Sequence, residues 1–221
     1  MNTATQYLKP ASFSATDVIN LQQPFPFFIA QDTLDEQHKA ELRKDFPVYS
    51  QAGYFPYNPD ECGPAVNALI NEVTAPAFAD FLGDKIDVER LSQYPTLVTI
   101  CRHLNRRHGD IHTDGKSKVA TALIYMNEDW NGSSDGCLRF LSSADDVNAT
   151  VVPEIKPLFG FFAMFKRADN SYHGHLPYEG ERRVIQIAWI INEEERDRKI
   201  KRGGFSRFVK GIFGKLDRKI G

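Results

Sequence analysis

Cysteine is scarce in this chain. Cys62, Cys101 and Cys137 are the only three in 221 residues, an odd number with no CxxC pair among them. That excludes a disulfide framework and a thiolate zinc motif, and the three read as free thiols in a reducing compartment. Long apolar runs are also missing. No stretch approaches the roughly 18 apolar residues of a membrane-spanning helix. The opening "MNTATQYLKPASFSATDVIN" lacks the apolar core of a signal peptide, so cytoplasmic is the default expectation. Neither sign of charge dominates. With 27 Lys and Arg against 29 Asp and Glu, the net charge of -2 gives no pull toward nucleic acid, and no such partner is expected. Internal repeats and low-complexity tracts are absent as well. What remains is a globular composition, 42% hydrophobic and 25% charged, long enough for one domain with a substantial core.

Residues 1–24 are polar and aperiodic and read as an N-terminal arm or loose leader. "PFPFFIAQDTLDEQHKAELRKDFP" reads as a short strand, Phe27 to Ala30, then a helix of about a dozen residues. Thr33 or Asp35 could cap that helix, and Pro47 stops it. "GPAVNALINEVTAPAFADFLGDKI" predicts a second helical region, with Pro64 in its first turn and Pro76 bending or splitting it. After Pro95 the texture changes. "TLVTICRHL", "KVATALIYM", "CLRFL", "FGFFAMF" and "RRVIQIAWII" are β-branched and aromatic runs separated by turn-forming clusters. Many short strands at this spacing predict an antiparallel sandwich or barrel over about 95–192, with helices packed on it.

"RRHGDIHTDG" raises the chemical question. On an extended strand His112 and Asp114 point the same way, toward one cavity. A lone His-x-Asp is weak evidence, because a polar turn produces it equally well. The later "SYHGHLPYEGERRVIQIAW" supplies His173, then Arg183 ten residues on and Trp189 six further. Two imidazoles and one carboxylate with open positions form the facial triad suited to non-haem Fe(II). An arginine offers a planar, permanently charged fork for a carboxylate.

In that combination the chain resembles the Fe(II)/2-oxoglutarate oxygenases, in particular their prolyl-4-hydroxylase-like branch. The resemblance rests on "HTD", "ALIYMNEDW", "DGCLRFL", "PLFGFFAMF", "YHGHLP" and "GERRVIQIAW" in that order, over about residues 96–191. It implies a double-stranded β-helix (jelly-roll) core with N-terminal helices packed on it, the oxygenase domain spanning 25–192. It implies His112, Asp114 and His173 as catalytic iron ligands, Arg183 as the clamp on the distal carboxylate of 2-oxoglutarate, and Tyr125 beside that carboxylate. Fe(II), 2-oxoglutarate and O2 are the implied cofactors, with ascorbate the candidate reductant. The implied reaction couples oxidative decarboxylation of 2-oxoglutarate to hydroxylation of an unactivated C–H, on a peptidyl proline, an amino acid or other small molecule, or a glycan. Arg182 is the competing clamp, since neighbours on a strand face opposite sides; the six-residue spacing to Trp189 favours Arg183. His175 reads as a pocket or surface histidine, and Trp130 as packing at a strand end. The other readings are a catalytically silent β-helix binding module and a zinc enzyme on the same fold.

Residues 193–221 read as a basic amphipathic tail. Phe205, Phe208, Val209, Ile212, Phe213, Leu216 and Ile220 follow helical spacing, and Arg198 to the end holds nine basic residues and one acid. Such a stripe packs back on the jelly-roll, joins a homodimer, or meets a protein or an anionic membrane surface through residues 205–220, and the sequence leaves these open.

Overall fold

The computed structural model describes residues 5–131 and 133–202. Short β1 (Ile19–Leu21) and β2 (Phe27–Ala30) lead to α1 (Lys39–Asp45) and β3 (Tyr54–Pro56). Next come α2 (Pro64–Thr74), α3 (Pro76–Lys85), β4 (Thr96–Leu104) and β5 (Lys118–Tyr125). The chain continues with β6 (Arg139–Phe140), β7 (Phe162–Lys166), β8 (His173–Gly174) and β9 (Gly180–Ile190).

Seven strands form one antiparallel sheet in the order β1-β2-β7-β5-β9-β4-β3, and β6 and β8 pair in a second. Bridges at Leu138–Ile155, Leu141–Thr150 and His112–His173 extend the small sheet, completing the double-stranded β-helix.

Alternation along the strands divides the core in two. On one face of the large sheet, Ile100, Ala122, Ile124, Met164, Ile185 and Trp189 pack against the helices. α2 supplies Val66, Leu69, Ile70 and Val73, and α3 supplies Phe78 and Leu82, at the i, i+3, i+4 spacing that makes one apolar stripe. The opposite face carries Cys101, Leu123, Tyr125, Phe165 and Val184 into the space between the sheets, where Phe140 and Leu138 meet them. The site opens into this interior.

The two prolines act as expected. Pro64 opens α2, and Ala75, ahead of Pro76, takes an extended conformation (φ -56°, ψ 134°) that separates the helices. The first helix is shorter than expected. A 3-10 turn over Glu36–His38, whose start is capped by Asp35, precedes the seven residues of α1. The loose leader is a correction: over residues 5–24 the chain packs down. Phe13 is fully buried edge-on to Phe78 and Phe162, and β1 pairs with β2. Glu72 also accepts the backbone N–H groups of Gln6, Tyr7 and Leu8.

Two irregularities position the site. Between Cys101–Val184 and His103–Glu181, both Arg182 and Arg183 oppose the single Arg102. Between Lys118–Ile190 and Ala120–Trp189, Val119 is the extra residue. A bulge re-aims the side chains beside it. Residues 193–202 are helical, and the tail stripe over 205–220 lies outside the described residues. Among the described residues no helix is long and apolar enough to cross a membrane.

Candidate active site

The segment after β4 runs beside β8. His112 donates its N–H to the His173 carbonyl at 3.0 Å and accepts from the His173 N–H at 3.0 Å, and His175 N–H reaches the Gly109 carbonyl at 2.9 Å. This two-way bridge brings together candidate ligands 61 positions apart, and the imidazole centroids lie 4.4 Å apart. The close approach demands glycine. A Cβ on Gly174 would sit 2.8 Å from the Gly109 carbonyl oxygen, and Gly109 itself has φ +110°.

His112, Asp114 and His173 each offer a ligand atom, and all three atoms lie within 4.8 Å of one another. Both imidazoles are oriented from behind. His112 Nδ1 sits 2.8 Å from the Asp110 carbonyl and His173 Nδ1 sits 2.9 Å from that of Ser171. Bonding Nδ1–H to a carbonyl leaves Nε2 as the free lone pair, the form a metal requires. Burial drives the His173 pKa down to about 4 against the pull of Asp114, so the ring is neutral at pH 7. For Asp114, burial alone would raise the pKa. The Lys118 ammonium, His173, and hydrogen bonds from Lys118 (2.7 Å) and Thr121 (2.5 Å) hold it at about 2 instead. Two imidazoles and a carboxylate, with their outer atoms already bonded, fit Fe(II).

Arg182 is the second feature. It is 1% exposed and points into the interior. Its Nε donates to the Gly136 carbonyl at 2.8 Å, Nη1 to the Tyr54 hydroxyl at 3.1 Å and Nη2 to the Tyr125 hydroxyl at 3.2 Å. Among the described residues no carboxylate pairs with it. A buried guanidinium held by neutral acceptors alone is poised for an anion, because an unpaired buried charge is costly.

Arg183, expected to hold the carboxylate, does not face the interior. It lies on the helix-facing side of β9, over the Phe46 ring at 5.8 Å, and both its Nε and Nη2 meet Glu181 Oε1 at 2.7 Å. The physical reason is parity. Six residues from Trp189 means the same face as Trp189, and that face packs on the helices. Tyr125 is fully buried, and its hydroxyl accepts from the interior Arg182.

Other partners were missed. Tyr54, Thr121, Lys118 and the Gly136 carbonyl carry no motif that marks them in the sequence. His175 is a buried histidine, its Nδ1 bonded to the Leu176 carbonyl at 2.8 Å; burial and the nearby Arg182 take its pKa down to about 4. Trp130 packs on Tyr178 with centroids 4.6 Å apart, as a strand-end packing residue would.

Residues 97–191 match the family model of the 2OG-Fe(II) oxygenase superfamily. Among solved structures, a Pseudomonas putida prolyl-4-hydroxylase aligns with a TM-score of 0.52 at 18% identity, over 74% of this chain and 92% of that one. The viral collagen prolyl hydroxylase of Paramecium Bursaria Chlorella virus-1, solved as its 2OG complex, aligns at 0.51 and 17%, over 76% and 96%. At these identities the likeness to solved structures establishes the fold. Among curated proteins none matches.

Proposed function

For a chain that carries a 2OG-Fe(II) oxygenase domain, and is thus a dioxygenase using Fe(II), 2-oxoglutarate and O2, we propose that His112, Asp114 and His173 hold the iron. In the same reading Arg182, not Arg183, holds the distal carboxylate of 2-oxoglutarate. The observation that carries it is the buried, carboxylate-free guanidinium on the same interior as the His-Asp-His cluster.

Strand geometry supports the pairing. Thr121, which bonds Asp114, and Tyr125, which bonds Arg182, share one face of β5 four residues apart, about 13 Å at ~3.3 Å per residue. Side chains reaching inward from both ends shorten that separation, which supports a small dicarboxylate held between them. The iron and its co-substrates supply the oxidising power, coupling decarboxylation to succinate and CO2 with hydroxylation of an unactivated C–H. The protein supplies placement. Thr121 and the two backbone carbonyls fix the ligands, while Arg182 with Tyr54 and Tyr125 fixes the co-substrate's far end. Leu123, Val184 and Phe165 keep the interior dry.

The substrate is proposed as a peptidyl proline, an amino acid or a glycan. The two solved neighbours are named as prolyl hydroxylases, which supports the first.

The test has two steps. Anaerobic Fe(II) plus 2-oxoglutarate should give the weak visible charge-transfer band of the chelate in wild type and none in Asp114→Ala. Succinate release with ascorbate as reductant should then rise with at least one member of a peptide, amino acid and glycan panel. Absence of both the band and succinate would overturn the reading.

A further inference from the structure

Basic groups surround the one ligand carboxylate. Lys118 reaches Asp114 Oδ1 at 2.7 Å although regular alternation would send it toward the helices. The bulge at Val119 explains this. Val119 and Ala120 both face the helix side, so Lys118 is turned inward. Arg167, at the end of β7, donates from Nε to the Asp114 carbonyl at 3.2 Å and pairs with Asp169. The helix over 193–202 brings Lys199 to the same place, its Nζ 3.9 Å from where a Cβ on Gly115 would stand. Among the described residues no carboxylate forms an ion pair with Lys199. Burial and the neighbouring Lys118 both lower its pKa, as expected of two ammonium groups held close together.

Two adjacent ammonium groups face Asp114, and iron takes that carboxylate when it binds; Glu195, the other carboxylate that acts on Lys199, is paired with Arg198. Two positive charges of the metal then meet two negative charges of 2-oxoglutarate, so the surplus at the mouth stays positive. Like charges held together at a part-buried site cost free energy unless an anion joins them.

We propose that Lys118 and Lys199 bind an anionic group, a carboxylate or a phosphate, on the substrate and so set its position over the iron. Lys118 is then a specificity residue and not only a support for Asp114. Lys199 makes the helix after β9 part of the substrate site. The inference rests on the oxygenase reading and narrows it: a neutral prolyl peptide or glycan is a poor substrate unless an acidic or phosphorylated group lies close to the carbon to be hydroxylated.

The test uses the full chain loaded with Mn(II) and 2-oxoglutarate, with inorganic phosphate, trifluoroacetate and neutral trifluoroethanol as probes. Paramagnetic relaxation of the phosphate 31P signal and of the two 19F signals reports approach to the metal. The expected result is saturable relaxation of phosphate or trifluoroacetate, with none for trifluoroethanol. The favoured anion identifies the group as phosphate or carboxylate. Lys199→Met, which touches no metal ligand, should weaken the anion effect tenfold or more, and Lys118→Met should do the same. Equal relaxation of anions and alcohol, or an effect unchanged in Lys199→Met (direct ligation of the anion by the metal), would overturn the proposal. Co-substrate binding is measured first, by quenching of the Mn(II) signal. Failure there refutes the oxygenase reading, whereas normal co-substrate binding without an anion effect refutes only this inference.

Discussion

Replacing each of the two adjacent arginines by methionine, which keeps much of the aliphatic length and removes the charge, separates their roles. In Arg182→Met the distal carboxylate of 2-oxoglutarate would be buried beside two tyrosine hydroxyls with no cation. Truncating one partner of a buried, hydrogen-bonded charge pair costs about 2–5 kcal/mol. Taking about 3 kcal/mol, and 1.4 kcal/mol per factor of ten, the 2-oxoglutarate requirement should rise roughly 150-fold. Stability of the protein without co-substrate should change little, because the hydrogen bonds lost to Gly136, Tyr54 and Tyr125 are offset by relief of an unpaired buried charge. Arg183→Met removes an ion pair with Glu181, whose side chain is 40% exposed, so its cost stays under about 1 kcal/mol and the 2-oxoglutarate requirement should stay within about twofold. The assay is titration of 2-oxoglutarate against the charge-transfer band of the Fe(II)-loaded protein, with the KM for succinate release beside it and thermal unfolding as the control. An Arg183→Met variant that loses co-substrate affinity while Arg182→Met keeps it would refute the assignment of the two faces.

The metal-free protein should lose stability on acidification in two windows. His173 and His175 are held at about 4 in the fold against 6.5 for a free histidine, so the unfolded chain protonates first. Stability is therefore full above about pH 6.5 and falls as pH drops toward 4, by roughly 3 kcal/mol per ring at most. Asp114, at about 2 against 3.8, adds its own loss below pH 3.8. Urea midpoints at pH 7, 5.5 and 4.5 measure this, and His175→Gln should remove about half of the fall; superimposable curves for variant and wild type would contradict the burial of His175. Gly174→Ala pushes a methyl group against the Gly109 carbonyl and should weaken Co(II) affinity roughly 10- to 100-fold, while Gly115→Ala, whose Cβ meets nothing closer than 3.9 Å, should leave it unchanged. Thr121→Val keeps the shape and deletes the 2.5 Å hydrogen bond to Asp114; a loss of metal affinity in the same range is expected by calorimetry, and full affinity would mean that Lys118 alone orients the carboxylate.

How far the sequence can be read depends on the range over which each element is stabilised. "TLVTICRHL" is β4 from end to end, because β-branched residues at consecutive positions already favour an extended chain. The proline-bounded helices are legible for the same local reason. β6, two residues long, is only the centre of the "CLRFL" run, and β8, also two residues, owes its existence to partners far along the chain, so no local pattern marks it. The burial of Phe13 is likewise invisible, since one aromatic in a polar leader makes no periodicity and its contacts come from Phe78 and Phe162.

The three candidate iron ligands, which the fold does bring together, were legible because the chemistry constrains residue type, and a residue type can be read directly from the letters. The proposed clamp was not, because it depends on facing. A spacing of six from Trp189 singled out Arg183, yet an even spacing on a strand assigns the same face as the tryptophan, and Trp189 lies against the helices. Counting faces outward from Trp189 would have pointed to Arg182. That count is secure only where strands are regular, and here both instructive residues stand beside a bulge: Arg182 with Arg183 opposite Arg102, and Lys118 next to Val119. Glycine marks one bulge class in a sequence, and neither of these contains one. A bulge of ordinary residues shifts the facing of everything before it by one position and leaves no trace in composition. Lys118, which its bulge turns inward, is therefore the side chain that only the folded register reveals.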